Sequence, residues 1–139
     1  MTIQEKQAEI IDEFSMFENW DERFQYIIDL GKSLPIIEDK FKLEENTIKG
    51  CQSKVWLHAN HLDDKLHFTA DSDAIITKGI IAILIRVFSD AKAEAILDAN
   101  TDFIDEIGLR SHLSPTRANG LVSMIKNIKM YALGFSSKN

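Results

Sequence analysis

Residues 79–85 read Gly-Ile-Ile-Ala-Ile-Leu-Ile, seven consecutive positions with no charge and no side-chain hydrogen-bonding group. Such a run leaves no polar face for water, so the element that contains it must be covered on nearly every side. It is far short of the roughly 20 apolar residues that span a bilayer, so the cover has to come from the rest of the chain. Extended to Ala74–Phe88, the segment predicts a central helix packed against a sheet. A chain of 139 residues can supply one core of that kind and is too short to expect two, which predicts a single domain over 1–139.

The flanking segments show two different periods. Ile3, Ile10, Ile11 and Phe14 recur at helical spacing, and so do Trp20, Phe24, Ile27 and Ile28. The second of these helices carries Asn19 and Glu22 in the arrangement of a capping box, with Gly31 at the position of a C-terminal cap and Pro35 beyond it. From Leu43 the period changes to two. Val55, Leu57 and Ala59 alternate with Trp56 and His58, and Leu66, Phe68 and Ala70 alternate with His67 and Thr69. With Asn60–Asp64 as a turn and Asn46-Thr47-Ile48 as a short preceding strand, this predicts a three-stranded antiparallel sheet whose first connection is Lys49–Ser53. After the central helix come short helices over Ala91–Leu97 and Asp102–Ile107, the latter stopped by Gly108, and a last helix that begins at Ser114-Pro115 and runs toward Gly134. Helices, a small sheet and helices again give an α+β domain.

Charge narrows the partners. The net charge of −6 is opposite in sign to the basic surface that phosphate neutralisation requires, so nucleic acid is not expected and a basic patch on a protein is a better match. The first twenty residues mix charged and apolar positions without the apolar stretch of a secretory signal, and a chain with one cysteine forms no internal disulfide. Both features predict a cytoplasmic protein with no membrane segment.

That cysteine, Cys51, lies in Gly50-Cys51-Gln52-Ser53-Lys54-Val55-Trp56-Leu57, after a glycine and at the tip of the predicted loop. A buried cysteine is ordinarily an inert apolar residue, whereas a reactive one needs partial exposure and room to ionise. Position alone does not decide between these two. The wider sequence does more: GCQSKVWL, the segment Asp71–Leu84 and the segment His112–Leu121 closely resemble the three signature segments of the SufE family of sulfur-acceptor proteins, and the similarity extends to the Trp20 helix and its Leu34-Pro35 exit.

The resemblance implies that Cys51 accepts sulfane sulfur from a cysteine desulfurase, carries it as a persulfide, stimulates the desulfurase and delivers sulfur to iron-sulfur cluster assembly. It also implies that Gly50, Gln52, Ser53, Asp73 and Arg117 support the loop and its pocket. The chain would be an accessory to sulfur transfer, with no cofactor of its own and with PLP belonging to the desulfurase. The implied partners are a SufS-like desulfurase and a downstream iron-sulfur scaffold, with a homodimer as an arrangement the sequence leaves open. A CsdE-type acceptor serving a different desulfurase is the neighbouring alternative, and a stand-alone thiol enzyme, hydrolase or peroxidase, is the more distant one.

Residue chemistry supplies further expectations. A lone thiol suits a carrier, because a second one nearby would attack the persulfide and release its sulfur. Shielding of the loaded sulfur requires apolar neighbours, for which Val55, Trp56 and Leu57 are close in sequence, and a resting Cys51 is expected to be largely buried. Asp73 also reads as a helix N-cap and Arg117 as a solvated first-turn residue. His58, His61 and His67 with Asp63 and Asp64 match no closed metal-site spacing, so no metal is expected. His112 is the candidate base for a hydrolase, without an evident orienting group.

Overall fold

The computed structural model describes residues 1–136. Two helices, α1 (Ile3–Ser15) and α2 (Trp20–Gly31), precede a hairpin of β1 (Val55–Leu62) and β2 (Lys65–Ser72). Four helices follow: α3 (Ile75–Phe88), α4 (Ala93–Asp98), α5 (Asp102–Glu106) and α6 (Pro115–Ser136). Helix α3 is the centre of the core, as its composition demands. It touches α1, α2, β2 and α6, and every residue from Gly79 to Ile85 is buried.

Helix α2 can approach α3 closely because both carry glycine at the crossing. A Cβ on Gly79 would lie 2.2 Å from the carbonyl oxygen of Ile27, and one on Gly31 would lie 3.1 Å from the backbone nitrogen of Gly79. Gly31 is therefore not the predicted C-terminal cap. It is the last helical residue, and Lys32 caps the helix in ordinary right-handed geometry. At the other end Asn19 does cap, its side chain accepting from the Glu22 amide at 2.9 Å. The complete reciprocal box is on α1, between Thr2 and Glu5.

The hairpin confirms the period-two reading in register. Leu57 faces Ala70 and Ala59 faces Phe68, and these four with Val55 and Leu66 are buried. The turn is tighter than the predicted Asn60–Asp64. Pairing continues to Leu62 and Lys65, leaving Asp63 and Asp64 as the two turn residues at φ +55° and +63°. Left-handed geometry at both central positions matches the right-handed twist of the strands, and aspartate tolerates it better than most residues.

The sheet has two strands and not three. Asn46-Thr47-Ile48 does not pair over its length. Glu44–Asn46 forms a 3₁₀ turn, because polar side chains there bond their own backbone: Thr47 Oγ1 donates to the Glu44 carbonyl at 2.6 Å and Asn46 Nδ2 to that of Phe41 at 2.7 Å. What remains of the expected strand is one bridge between Thr47 and Trp56, with the Ile48 amide donating to the Val55 carbonyl at 2.8 Å. On the opposite edge Ile36 bridges Ala70.

The short helices shift slightly. Ala91 bridges Leu66 instead of starting α4, and Gly108 at φ +75° ends the region of α5. None of the described helices is long and apolar enough to cross a membrane.

Gly79→Ala tests the crossing. Alanine should gain about 1 kcal/mol of helix propensity, but the obstacle is backbone and cannot swing aside. Overpacking of this kind costs about 1–3 kcal/mol or more, so a lower midpoint of urea unfolding at unchanged slope is expected. A rise in the midpoint would show that the helices are not in contact there.

Candidate functional site

The segment 49–54 leaves the α+β core between two fixed points. The Ile48 amide bond to the Val55 carbonyl closes its base. A second clamp comes from Asp73, at the corner between β2 and α3: its carboxylate accepts from the Lys54 amide at 3.1 Å, and its own amide donates to the Lys54 carbonyl at 3.3 Å. Asp73 is thus not the N-cap of α3. Ala74 occupies that position, and the Ser72 hydroxyl accepts from the Ala74 amide at 3.2 Å.

The strand end that carries Asp73 is braced by a partly buried ion pair. Lys42 Nζ lies 2.8 Å and Lys78 Nζ 3.5 Å from the Asp71 carboxylate. Burial pushes that carboxyl up, but the Lys42, Ser72 amide and Lys78 interactions outweigh it and hold Asp71 below the usual range.

Between its anchored ends the loop lies on α6. Gly50 adopts φ +91°, and a Cβ there would stand 2.5 Å from Ser123 Oγ, so both conformation and space call for glycine. One residue on, the Cys51 thiol points at the helix, with Sγ 3.7 Å from the Gly120 carbonyl oxygen. A Cβ on Gly120 would be 3.3 Å from that sulfur. Glycine within a helix costs stability; here it makes the recess that receives the thiol.

The recess opens into a cavity of about 260 Å³. The loop lines it with Cys51, Gln52 and Ser53, α3 with Thr77 and Ile80, the start of α6 with Ser114, Thr116 and Arg117, and the next turns with Gly120 and Met124. Ser114 also caps α6, its hydroxyl accepting from the Arg117 amide at 3.3 Å.

Of the residues expected at the site, Cys51, Gln52, Ser53 and Arg117 therefore meet in one cavity, while Gly50 shapes the loop and Asp73 holds its stem. Val55, Trp56 and Leu57 do not form the wall. Period-two alternation sends Val55 and Leu57 into the core and Trp56 to the other face, where Lys42 Nζ sits 5.4 Å from its ring centre. The wall consists of Thr77, Ile80, Gly120 and Met124, which sequence reasoning missed. Their signal was the helical spacing of Thr77 with Ile80, and of Gly120 with Met124, next to recognised segments.

His112 is also elsewhere. It stacks on Trp20 with ring centres 3.9 Å apart, and its Nδ1 is 2.8 Å from the Gly108 carbonyl oxygen. His58 stacks on Phe41, while His61 and His67 lie 3.9 Å from Asp64 and Asp90 respectively. No group of three metal-ligating side chains forms among the described residues.

Cys51 is half-buried, less enclosed than the sequence led us to expect. Burial pushes its thiol up, and among the described residues no histidine or carboxylate lines the cavity to act as a base. At rest the group is a protected thiol. Because the folded state holds this proton more tightly than the unfolded chain, folding stability should be indifferent to Cys51 below the ordinary thiol range and should fall as pH rises through and above it.

Alkylation by iodoacetamide reads the same property. Its pH profile in the native protein should lie above that of a free thiol, which ionises near about 8.5, and should return to the ordinary position in urea. Gly120→Ala should displace the thiol from its recess and label severalfold faster without a loss of thermal stability. Equal labelling rates in the two proteins would show that the recess does not protect Cys51.

Comparison with known proteins places this arrangement. A family model described as SufE, Fe-S metabolism associated domain, matches residues 8–132. A SufE-like protein of Rhizobium meliloti is 44% identical over 132 residues, covering 91% of this chain and 94% of the relative. The cysteine desulfuration protein SufE of Wigglesworthia glossinidia brevipalpis is 36% identical over 129 residues, covering 91% of this chain and 90% of its own. A protein of Thermus thermophilus solved in solution has the same fold, with a TM-score of 0.78 at 19% identity over 93% of this chain and 94% of that one.

Proposed function

We propose, from the premise that the chain belongs to the SufE family, that it is a sulfur acceptor in iron-sulfur metabolism whose carrier atom is Cys51 Sγ. The observation that carries this reading is the thiol itself: the chain's one cysteine, on a loop clamped at its stem and resting on a glycine recess, next to a cavity with room for an added atom.

The transfer needs little machinery from this chain. The thiolate of Cys51 attacks the outer sulfur of a persulfide on the desulfurase cysteine. A new S–S bond forms to Cys51, the old one breaks, and the desulfurase cysteine leaves as thiolate. No electrons are gained or lost overall, and PLP chemistry stays in the desulfurase. A SufS-like enzyme is the partner of the reading, and a CsdE-type pairing uses the same chemistry with another desulfurase. Delivery to a downstream iron-sulfur scaffold reverses the roles, with the acceptor thiolate attacking the outer sulfur and Cys51 leaving. A cytoplasmic setting suits a thiol that must stay reduced.

Geometry explains why the resting thiol is not activated. A thiolate exposed at all times would react with oxidants and stray thiols, whereas burial keeps Cys51 protonated until a partner draws the tip outward. The stand-alone hydrolase fits less well, because its nucleophile would need a base within hydrogen-bond reach and the cavity lining provides neither imidazole nor carboxylate.

Mass spectrometry after incubation with a cysteine desulfurase and cysteine should show one added sulfur on Cys51. Cys51→Ser should fold normally, bind the desulfurase and give no stimulation of sulfur release. Stimulation unchanged in that variant would overturn the carrier role, and acylation or sulfenate formation on Cys51 by a substrate would favour the thiol enzyme.

A further inference from the structure

Thr77 is only 6% exposed and lines the Cys51 cavity. It interrupts a helix whose other buried positions are apolar or glycine. Threonine in a helix commonly bonds back to a carbonyl one turn earlier. Thr77 Oγ1 does not, and among the described residues it has no hydrogen-bond partner. Nor is the oxygen sealed in packing, since the one buried side-chain polar atom without a hydrogen bond among the described residues is Arg110 Nε, which lies 3.3 Å from the Asp105 carboxylate. The hydroxyl therefore faces cavity space. Water can reach the hydroxyl there, so where valine would fill the same volume threonine leaves a donor without a protein partner, available to whatever occupies the cavity.

The group that reaches this cavity is Cys51. In a persulfide the outer sulfur lies about 2.05 Å beyond Sγ, and persulfides are more acidic than thiols, so that sulfur carries negative charge near neutral pH. Such an anion in a partly apolar recess needs a donor. Charge around it is favourable. Arg117 on α6 is the one charged residue of the lining; Lys49 and Lys54 flank the tip, the former paired with Glu44 at 2.6 Å. Asp73 is committed to the Lys54 amide and Lys78 to Asp71. The positive end of the dipole of the 22-residue α6 lies on the same side of the cavity, at Ser114, Thr116 and Arg117.

We propose that the Thr77 hydroxyl donates a hydrogen bond to the anionic outer sulfur of the Cys51 persulfide and so holds the loaded form in the cavity. This rests on the carrier reading above. Donation keeps the persulfide ionised, and an anionic sulfur repels attacking thiolates, so the cargo resists loss to small thiols. Outward movement of the loop removes the donor. The outer sulfur then takes up a proton more readily and becomes open to attack: an acceptor thiolate bonds to it, the S–S bond breaks, and Cys51 departs with the electron pair.

The test loads Cys51 with inorganic polysulfide, so that no desulfurase is required. Wild type, Thr77→Val and Thr77→Ser are compared by pH titration of the near-ultraviolet absorbance of the perthiolate and by the rate of sulfur loss to added glutathione. Loss of a hydrogen bond to a charged acceptor predicts that Thr77→Val ionises about one pH unit higher and loses sulfur on the order of tenfold faster, whereas Thr77→Ser behaves as wild type. Valine and serine variants that both match wild type would overturn the role of Thr77, and so would equal impairment of both, which would indicate packing alone. Separately, a wild-type protein that accepts sulfur from polysulfide but none from any desulfurase would overturn the carrier reading, and with it this proposal.

Discussion

The run Gly79–Ile85 of helix α3 is buried at every position, and the placement of the other elements follows from covering it. Helix α2 lies across it at the paired glycines Gly31 and Gly79, the hairpin shields a second side with its inward residues, and α1 and α6 complete the enclosure. These contacts are of backbone against backbone or of large apolar side chains, and both tolerate little displacement. The core is therefore a rigid frame, and the cysteine is not part of it. Cys51 is carried on a segment that leaves the frame at Ile48 and returns at Val55, and it reaches the frame again by resting on α6.

A carrier thiol has requirements that oppose one another. It must be nucleophilic when sulfur arrives, and it must be inert while it waits or holds its cargo. A fixed site with a lowered thiol pKa would satisfy the first requirement alone. In this structure burial raises the pKa, and among the described residues none that lines the cavity is a histidine or carboxylate base, which satisfies the second. On the proposed carrier reading reactivity would come from movement, because a change of environment alters the ionisation of a thiol without any new residue being supplied.

Periodicity made most of the frame legible. The apolar run, the two amphipathic helices and the hairpin are local patterns with strong periods, and Ser114-Pro115 is a local signal for a helix start. The third strand failed because the Asn46 and Thr47 side chains bond the nearby Phe41 and Glu44 carbonyls in preference to a neighbouring strand, a competition that alternation does not reveal. Gly31 was misread because a glycine at a helix end has two uses, and only the helix crossing shows which applies. For the site, family likeness identified Cys51 and its companions, but the true wall came from residues of α3 and α6 that meet only after folding. Asp73 illustrates the same limit, since Asp before a helix normally suggests a cap, whereas here its partner is Lys54, brought close by the hairpin register.

The two ends of the loop and its tip are held by different kinds of interaction, and the movement that the carrier reading requires would draw on that contrast. The stem has backbone hydrogen bonds and the carboxylate of Asp73. The tip has one weak bond from sulfur, 3.7 Å long, and the partial burial of a small side chain, together on the order of 1 kcal/mol. Gly50 lies between them at φ +91°, where other residues would resist the resting form and glycine can leave it at little steric cost. An opening that costs only the loss of these contacts would leave an extended minority that a docking surface could select. Replacing Gly50 would not isolate that motion, because any Cβ also meets Ser123 Oγ and so disturbs the resting packing. The recess at Gly120 separates the two effects, since a methyl there strains the tip's contact while the helix beneath it gains from losing a glycine.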